Sequence, residues 1–345
     1  MASKGTDSVL LTIPIVLLVV VVAGVLVKLS DDEEPVSAPP VPSASFSVPS
    51  GTPADGSPRP SGPPTATSQG GPGSTPPSAT STVCVADDQR TRFSVLTFNI
   101  HSARAYDGTV RLATVAEEIA RWDADVVLLQ EVDRGREWTG RVDMPAVLAK
   151  QLDMSWTFGA NVRRSATNQY GTAILSRFPI VDSRNVPLPA PPGTQQRGLL
   201  AATLDVDGTE VGVYDTHLEN TSRVARLQQM RTIAKILRAD QRPTILGGDL
   251  NAFPDSSVLA TARGFAQDTW SAVGSGPGYT ASARDPRNRI DYLLYDGGDT
   301  ADLDPTRAVV LRSAVSDHLA LWAAYRLVTR AGEICVPVLD DESLP

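Results

Sequence analysis

The sequence predicts a layered α+β domain, held behind an apolar membrane-length segment and an unfolded stalk. Three observations carry this. Short β-branched and apolar runs recur through the second half of the chain, with a few helix-periodic segments between them. Proline is densest between Pro35 and Pro77, which holds 13 of the 27, and no apolar pattern exists there. Ahead of it lies one long apolar run. The 345 residues therefore divide into an amino-terminal segment 1–8, a span 9–29, a linker 30–83, a globular part 84–335 and a tail 336–345.

Val9 to Leu29 is a run of 21 residues with one charge, Lys28. At about 1.5 Å per residue it can cross a bilayer core of about 30 Å. It is longer than the ~7–15-residue apolar region of a signal peptide; cleavage near Val36-Ser37-Ala38 is the other reading. Lys4 and Lys28 nearly balance across the span, so the positive-inside rule does not orient it. The linker does. Residues 30–83 are almost entirely Pro, Ser, Thr, Gly and Ala after a short acidic run, too poor in apolar surface to fold. An extended Pro-rich chain of that length reaches on the order of 150 Å. A spacer of this kind suits a single-pass protein of the cell membrane, with residues 1–8 cytoplasmic and the globular part outside.

The only two cysteines, Cys84 and Cys335, bracket the globular part. In an oxidising compartment they could form one bond joining its ends; two separate buried thiols are the alternative. The net charge of -8 offers no polybasic tail for nucleic acid or anionic lipid, and mild acidity fits a carboxylate-based metal site.

Within the globular part, Phe93–Ile100 reads as a strand, followed by a helix over Val110–Trp122 with Leu112, Val115, Ala116 and Ile119 at helical spacing. Asp125–Glu131 is a buried strand ending in polar residues. Gly171–Leu175 and Leu200–Val206 are strands, and Asp207-Gly208 turns the second into Glu210–Thr216. A helix over Ser222–Arg238 places Val224, Leu227, Met230, Ala234 and Leu237 on one face. Thr244–Leu246, Ile290–Tyr295, Ala308–Leu311 and Ala320–Leu327 complete the strands.

The strand ends share a property: Asn99-Ile100-His101, Gln130-Glu131, Thr216-His217, Gly248-Asp249-Leu250-Asn251, Ile290-Asp291-Tyr292 and Ser316-Asp317-His318 all end in metal-binding or acid–base residues. All three histidines of the chain lie in these segments, and histidine changes charge near neutral pH. Each segment alone has a bland explanation as a solvated strand end, a turn or a capped loop. Six in order do not.

The ordered series Leu96-Thr97-Phe98-Asn99, Leu129-Gln130-Glu131, Tyr170-Gly171, Leu175-Ser176-Arg177, Thr216-His217-Leu218, Gly248-Asp249-Leu250-Asn251, Arg289-Ile290-Asp291-Tyr292 and Ser316-Asp317-His318 resembles the endonuclease/exonuclease/phosphatase superfamily. The resemblance covers about residues 92–328. It implies a four-layer α/β/β/α sandwich of two mixed sheets, with the site at one sheet edge. It implies Glu131 as principal ligand of a hard cation, Mg²⁺ before Mn²⁺ or Ca²⁺, with Asn99 and Asp317 completing or supporting the shell. Asp291 would orient His318 so that the dyad activates water, and Asp249 is the rival base. Asp249 and Asn251 would position that water or the phosphate, and His217 would bind phosphate or protonate the leaving group. Tyr170, His101, Arg197 and Arg289 are candidates to meet substrate.

The expected activity is hydrolysis of a phosphoester, by preference a diester of nucleic acid or of a phospholipid head group; a phosphomonoesterase of inositol-phosphate type is the alternative. A catalytically silent stalked binding module would lack at least one of Glu131, Asp249, Asn251, Asp291 and His318, and none is missing. The sequence points to no protein partner.

Overall fold

The computed structural model describes residues 82–337, with side chains over 89–329. The predicted span 9–29, nearly all of the linker and the end of the tail lie outside the described residues. Among the described residues no helix is long and apolar enough to cross a membrane.

In chain order the first elements are β1 (Thr82–Asn99), α1 (Leu112–Trp122), β2 (Val126–Arg134), α2 (Met144–Leu152), β3 (Ser155–Ser165) and β4 (Asn168–Ser176). Then come β5 (Ile180–Pro187), β6 (Gly198–Val206), β7 (Thr209–His217), α3 (Arg223–Leu237), β8 (Thr244–Asp249) and α4 (Ser257–Ala262). Last are β9 (Gln267–Asp268), α5 (Thr269–Val273), β10 (Asp291–Asp296), β11 (Ala301–Leu311) and β12 (Ala320–Pro337). They build two six-stranded sheets, ordered β11-β12-β1-β2-β4-β3 and β5-β6-β7-β8-β10-β9. Each is mixed, because β1 runs parallel to β2 and β7 parallel to β8 while the other pairs are antiparallel.

Strand alternation sorts the apolar residues into three layers. Phe93, Val95, Val126, Leu128 and Ile174 of the first sheet meet Leu200, Val213, Ile245 and Leu293 of the second. The alternate residues Leu96, Phe98, Val127 and Leu129 face Val115, Ile119 and Leu148 of α1 and α2. Leu199, Tyr214, Leu246 and Tyr292 face Met230, Ile233 and Leu259 of α3 and α4. Helices, sheet, sheet and helices therefore stack in that order, as the sequence led us to expect.

The Asp207-Gly208 turn forms with both residues at positive φ, 51° and 87°, the geometry a two-residue hairpin favours. The helical face expected on α3 is rotated. Val224 is 67% exposed, and the buried residues are Ala225, Gln229, Met230, Ile233, Ala234 and Leu237. Gln229 fixes this phase: its Oε1 accepts from the Glu219 N–H at 2.9 Å and its Nε2 donates to Pro189 O at 3.0 Å. The β1–β12 ladder sets Cys84 directly opposite Cys335 in its register.

Among the polar contacts that cross between the sheets, two are fully buried. Gln130 Nε2 donates to Asp215 Oδ1 at 2.7 Å, and Asn99 Nδ2 donates to Asp249 Oδ2 at 3.1 Å. Asp215 is fully buried, and that burial pushes its carboxyl well above the usual range, more than the Gln130 bond lowers it. The folded state thus holds this proton more tightly than the unfolded chain does. Its stabilising contribution is complete below about pH 4 and is lost as pH rises toward the folded value. An uncharged, isosteric Asp215→Asn variant is expected to gain stability relative to wild type between about pH 4 and about pH 7 in urea unfolding. A difference that stays flat over that range would contradict a proton held on the buried carboxyl.

Candidate active site

Four of the candidate side chains lie on strands whose inward-facing parity also builds the inter-sheet core. Counting by two, Asn99 follows Phe93 and Val95, His217 follows Val211 and Val213, Asp249 follows Ile245, and Asp291 precedes Leu293. The apolar layer therefore ends in a polar row. Register closes the row: His217 pairs with Asp249 across β7–β8, and Asp291 pairs with Asp249 across β10–β8. Gly248 makes this approach attainable. It sits at φ +138°, and a Cβ there would stand 1.9 Å from Thr216 O.

Glu131 reaches the site by a different device. The β2–β4 register slips between Leu129 and Val132, and Glu131 adopts φ 57° in that bulge. Positive φ is uncommon for a residue with a side chain, and bulges re-aim side chains near functional sites. Asn99 joins Glu131 to the other sheet: its Nδ2 donates to Glu131 Oε1 and to Asp249 Oδ2, both at 3.1 Å, while its Oδ1 accepts from His101 N–H at 3.0 Å. Asn99 thus supports both carboxylates, and its Oδ1, having accepted one hydrogen bond, keeps a second lone pair.

His318 arrives on the loop before β12, tied down by Ser316, whose hydroxyl donates to Asn99 O at 2.7 Å and accepts from His318 N–H at 3.0 Å. Its Nδ1 lies 2.9 Å from Asp291 Oδ2 and its Nε2 3.7 Å from Asp249 Oδ2. The expected Asp–His dyad is present. His217 Nε2 lies 3.5 Å from the same Asp249 oxygen. Ligand atoms of Asp249, Asp291 and His318 all lie within 4.8 Å of one another, a buried group able to hold a metal ion.

The charges of these groups are set by burial and by one another. Burial and the neighbouring Asp291 charge push Asp249 up to about 7, against His318 and the hydrogen bonds from Asn251 N–H and Asn99. Burial opposes a charged His318, yet Asp291, Asp249 and Asp317 outweigh it and raise its pKa to about 10. Burial, Arg197 and His318 hold His217 well below the ordinary imidazole value. The two imidazoles are driven apart in protonation.

Asn251, at φ 47°, donates its Nδ2 to Leu218 O at 3.1 Å and its N–H to Asp249 Oδ1 at 2.9 Å. Asp317 and His101 stand at the opening, 3.7 Å apart, with His101 Nδ1 3.1 Å from Arg104 O. Arg197 is 3% exposed, 3.8 Å from Glu219, and close enough to Tyr170 and His217 to act on both. Arg289 is not at the opening. It is buried in a 2.8 Å ion pair with Asp268 and stacks on Tyr292, so its charge is spent inside the fold.

Sequence reasoning missed the rim. Arg104 lies 5.6 Å over the half-exposed Trp138, Arg136 lies over Trp138 and Tyr170 at 5.3 and 5.4 Å, and Arg284 lies 3.9 Å over Tyr106. Arg104, Tyr106, Arg136, Trp138 and Arg284 lie outside the strands and α-helices, with no period to read; Tyr170, already a candidate, lies on β4. Sequence reasoning also missed Thr280, whose hydroxyl accepts from the Asp291 N–H at 3.2 Å.

Residues 96–318 match the model of the endonuclease/exonuclease/phosphatase family. The chain is 31% identical over 236 residues to inositol phosphosphingolipids phospholipase C of Schizosaccharomyces pombe, covering 60% of this chain and 53% of that protein. It is 33% identical over 135 residues to protein cwh43 of the same yeast, covering 39% of this chain and 14% of that protein. The chain thus spans about half the length of the first relative and a small part of the second. A solved endonuclease/exonuclease/phosphatase structure from Beutenbergia cavernae superposes with a TM-score of 0.56 at 30% identity, over 68% of this chain and 72% of that one.

With three histidines in the chain, the imidazole charges can be resolved by NMR titration of metal-free protein. His318 is expected to remain charged at about pH 8 and His217 to be neutral already at about pH 6. Both rings titrating together near the unperturbed value would refute the assignment.

Proposed function

The chain belongs to the endonuclease/exonuclease/phosphatase family, and on that premise we propose that it is a divalent-metal-dependent hydrolase of phosphodiesters. The observation that carries this reading is the buried convergence of Asp249, Asp291 and His318, with Glu131 tied to it through Asn99. Two buried carboxylates side by side, with Asp291 Oδ1 lacking a hydrogen-bond partner among the described residues, leave charge that a cation would neutralise. The donors are mainly carboxylate oxygens, which suit Mg²⁺, Mn²⁺ or Ca²⁺ better than zinc. A cation held by Glu131, Asp249 and Asp291, with Asp317 at the opening, would supply charge neutralisation at the phosphoryl oxygens and at the departing oxyanion.

The chain's own residues do the rest. Asp291 fixes the His318 ring through Nδ1 and leaves Nε2 facing Asp249. A water beside Asp249 Oδ2 would give its proton to that carboxylate, the rival base, while the charged His318 donates Nε2–H toward the same oxygen. Attack on phosphorus then breaks one ester P–O bond and leaves a phosphomonoester and an alcohol. His217, kept neutral, can donate Nε2–H to a phosphoryl oxygen. Arg197 adds buried positive charge beside Tyr170 and His217, where charge builds up in the transition state.

The name of the phospholipase C relative supports a phospholipid head group as one substrate class, and the tyrosyl-DNA phosphodiesterase 2 relatives from Xenopus, 27–28% identical, support a nucleic-acid one. A domain anchored through residues 9–29 and held outside the cell membrane by the linker accords with both substrate classes, and with the two bracketing cysteines. Hydrolysis of bis-p-nitrophenyl phosphate in Mg²⁺ is expected to stop with EDTA and to fall on the order of a hundredfold or more in His318→Ala. Activity that survives both treatments would falsify the mechanism. A panel of sphingomyelin, inositol phosphates, plasmid DNA and RNA then ranks the substrates.

A further inference from the structure

We propose that the cavity beside the reacting groups is a subsite for a second anionic group of the substrate, gripped by Arg223 and Arg226. This rests on the phosphoester reading and narrows it to esters that carry another phosphate near the scissile one. The cavity measures about 350 Å³ and is lined by Arg223, Arg226, Asn251, Phe253 and Asp255 among others. Asn251 belongs to the strand end that carries Asp249, so the cavity and the reacting centre share a wall.

The helix that supplies the arginines is built against its own electrostatics. Its 15 residues include Arg223, Arg226, Arg231 and Lys235 and no carboxylate. A helix amino terminus favours negative side chains, yet Arg223 is the first helical residue and Arg226 follows one turn later on the same side. Two like charges at that spacing and at that end each cost stability, and local rules are broken in this way where function requires it. Arg226 is fixed in place, half-buried, with Nη1 donating to Glu219 O at 2.8 Å. Its burial and the adjacent Arg223 charge work against its protonated form. Arg223 is exposed and has no hydrogen bond or ion pair among the described residues.

Asp255 is the single carboxylate in the lining against two guanidiniums; Glu219 and Asp249 act on Arg226 from outside the lining, which leaves Arg223 as the guanidinium that meets an incoming anion. Phe253, 53% exposed at the same wall, offers an apolar face for a ring between the two phosphates. The shared ligand chemistry is a phosphate one group away from the scissile ester. It could come from the neighbouring phosphate of an oligonucleotide or from a second phosphate on an inositol head group.

The test uses the full chain with Mg²⁺ and paired substrates that differ by one phosphate. One pair is thymidine 3′-(p-nitrophenyl phosphate) with and without a 5′-phosphate; the other is inositol 1-(p-nitrophenyl phosphate) with and without a 4-phosphate. The quantity read is the kcat/KM ratio within each pair. Arg223→Ala is expected to reduce that ratio about tenfold, chiefly through KM, with Arg223→Lys retaining more and Arg223→Glu less. The pair that responds identifies the source. Ratios unchanged in both pairs for Arg223→Ala and Arg223→Glu overturn the subsite. Binding of thymidine 3′,5′-bisphosphate and inositol 1,4-bisphosphate to His318→Ala, with and without Arg223→Ala, separates the two proposals. Arg223-dependent binding without hydrolysis of any substrate by wild type would refute the hydrolase and keep the subsite. Hydrolysis without Arg223 dependence in either assay would do the reverse.

Discussion

Two carboxylates cannot be buried side by side unless their surroundings answer the charge. Asp249 and Asp291 are such a pair, set opposite each other by the β8–β10 register and almost wholly shielded from water. Everything nearby is arranged around that repulsion. His318 lies against Asp291, and the amides of Asn99 and Asn251 donate to Asp249. One carboxyl is driven toward neutrality while one imidazole is driven toward charge. Perturbations of opposite sign in adjacent groups are what acid–base chemistry at neutral pH requires.

The same alternation that fills the core also delivers the site. Inward-facing positions on β1, β7, β8 and β10 are apolar along the sandwich and turn polar at its end. No loop has to fold back to bring Asn99, His217, Asp249 and Asp291 together, so rigid strands position them. Glu131 needs a bulge because its parity is wrong. His318 needs the Ser316 hydroxyl because it comes from a loop. Beneath them the Gln130–Asp215 contact pins one sheet to the other, which keeps the spacing between Glu131's strand and His217's strand constant.

What was legible in the sequence follows burial. Central strands such as β2, β6 and β10 are buried on both faces and read clearly as apolar runs. The missed strands β3, β5 and β9 are all sheet edges, and β11, only its second half foreseen, is another. An edge strand such as Ile180–Pro187 is largely exposed along its length, so it has no burial pattern to betray it. The candidate site residues were legible because carboxylate, amide and imidazole at successive strand ends have few structural reasons to be there. Arg289 misled because a buried arginine and a surface arginine look alike until Asp268, 21 residues away, is placed beside it. The phase of α3 misled because Gln229, a polar residue, occupies the centre of its buried face.

The long β1–β12 ribbon has a mechanical consequence. Both strands run 18 residues, and β1 begins at Thr82 and finishes at Asn99 among the reacting groups. At about 3.3 Å per residue its ends are roughly 55 Å apart. The chain therefore enters this domain at the heel, far from the candidate site at the toe. Pro337, opposite Thr82 in the register, returns the chain to the same heel. Tension on one terminus alone runs along the ladder, whereas tension between the two would peel its pairs apart one at a time from the heel.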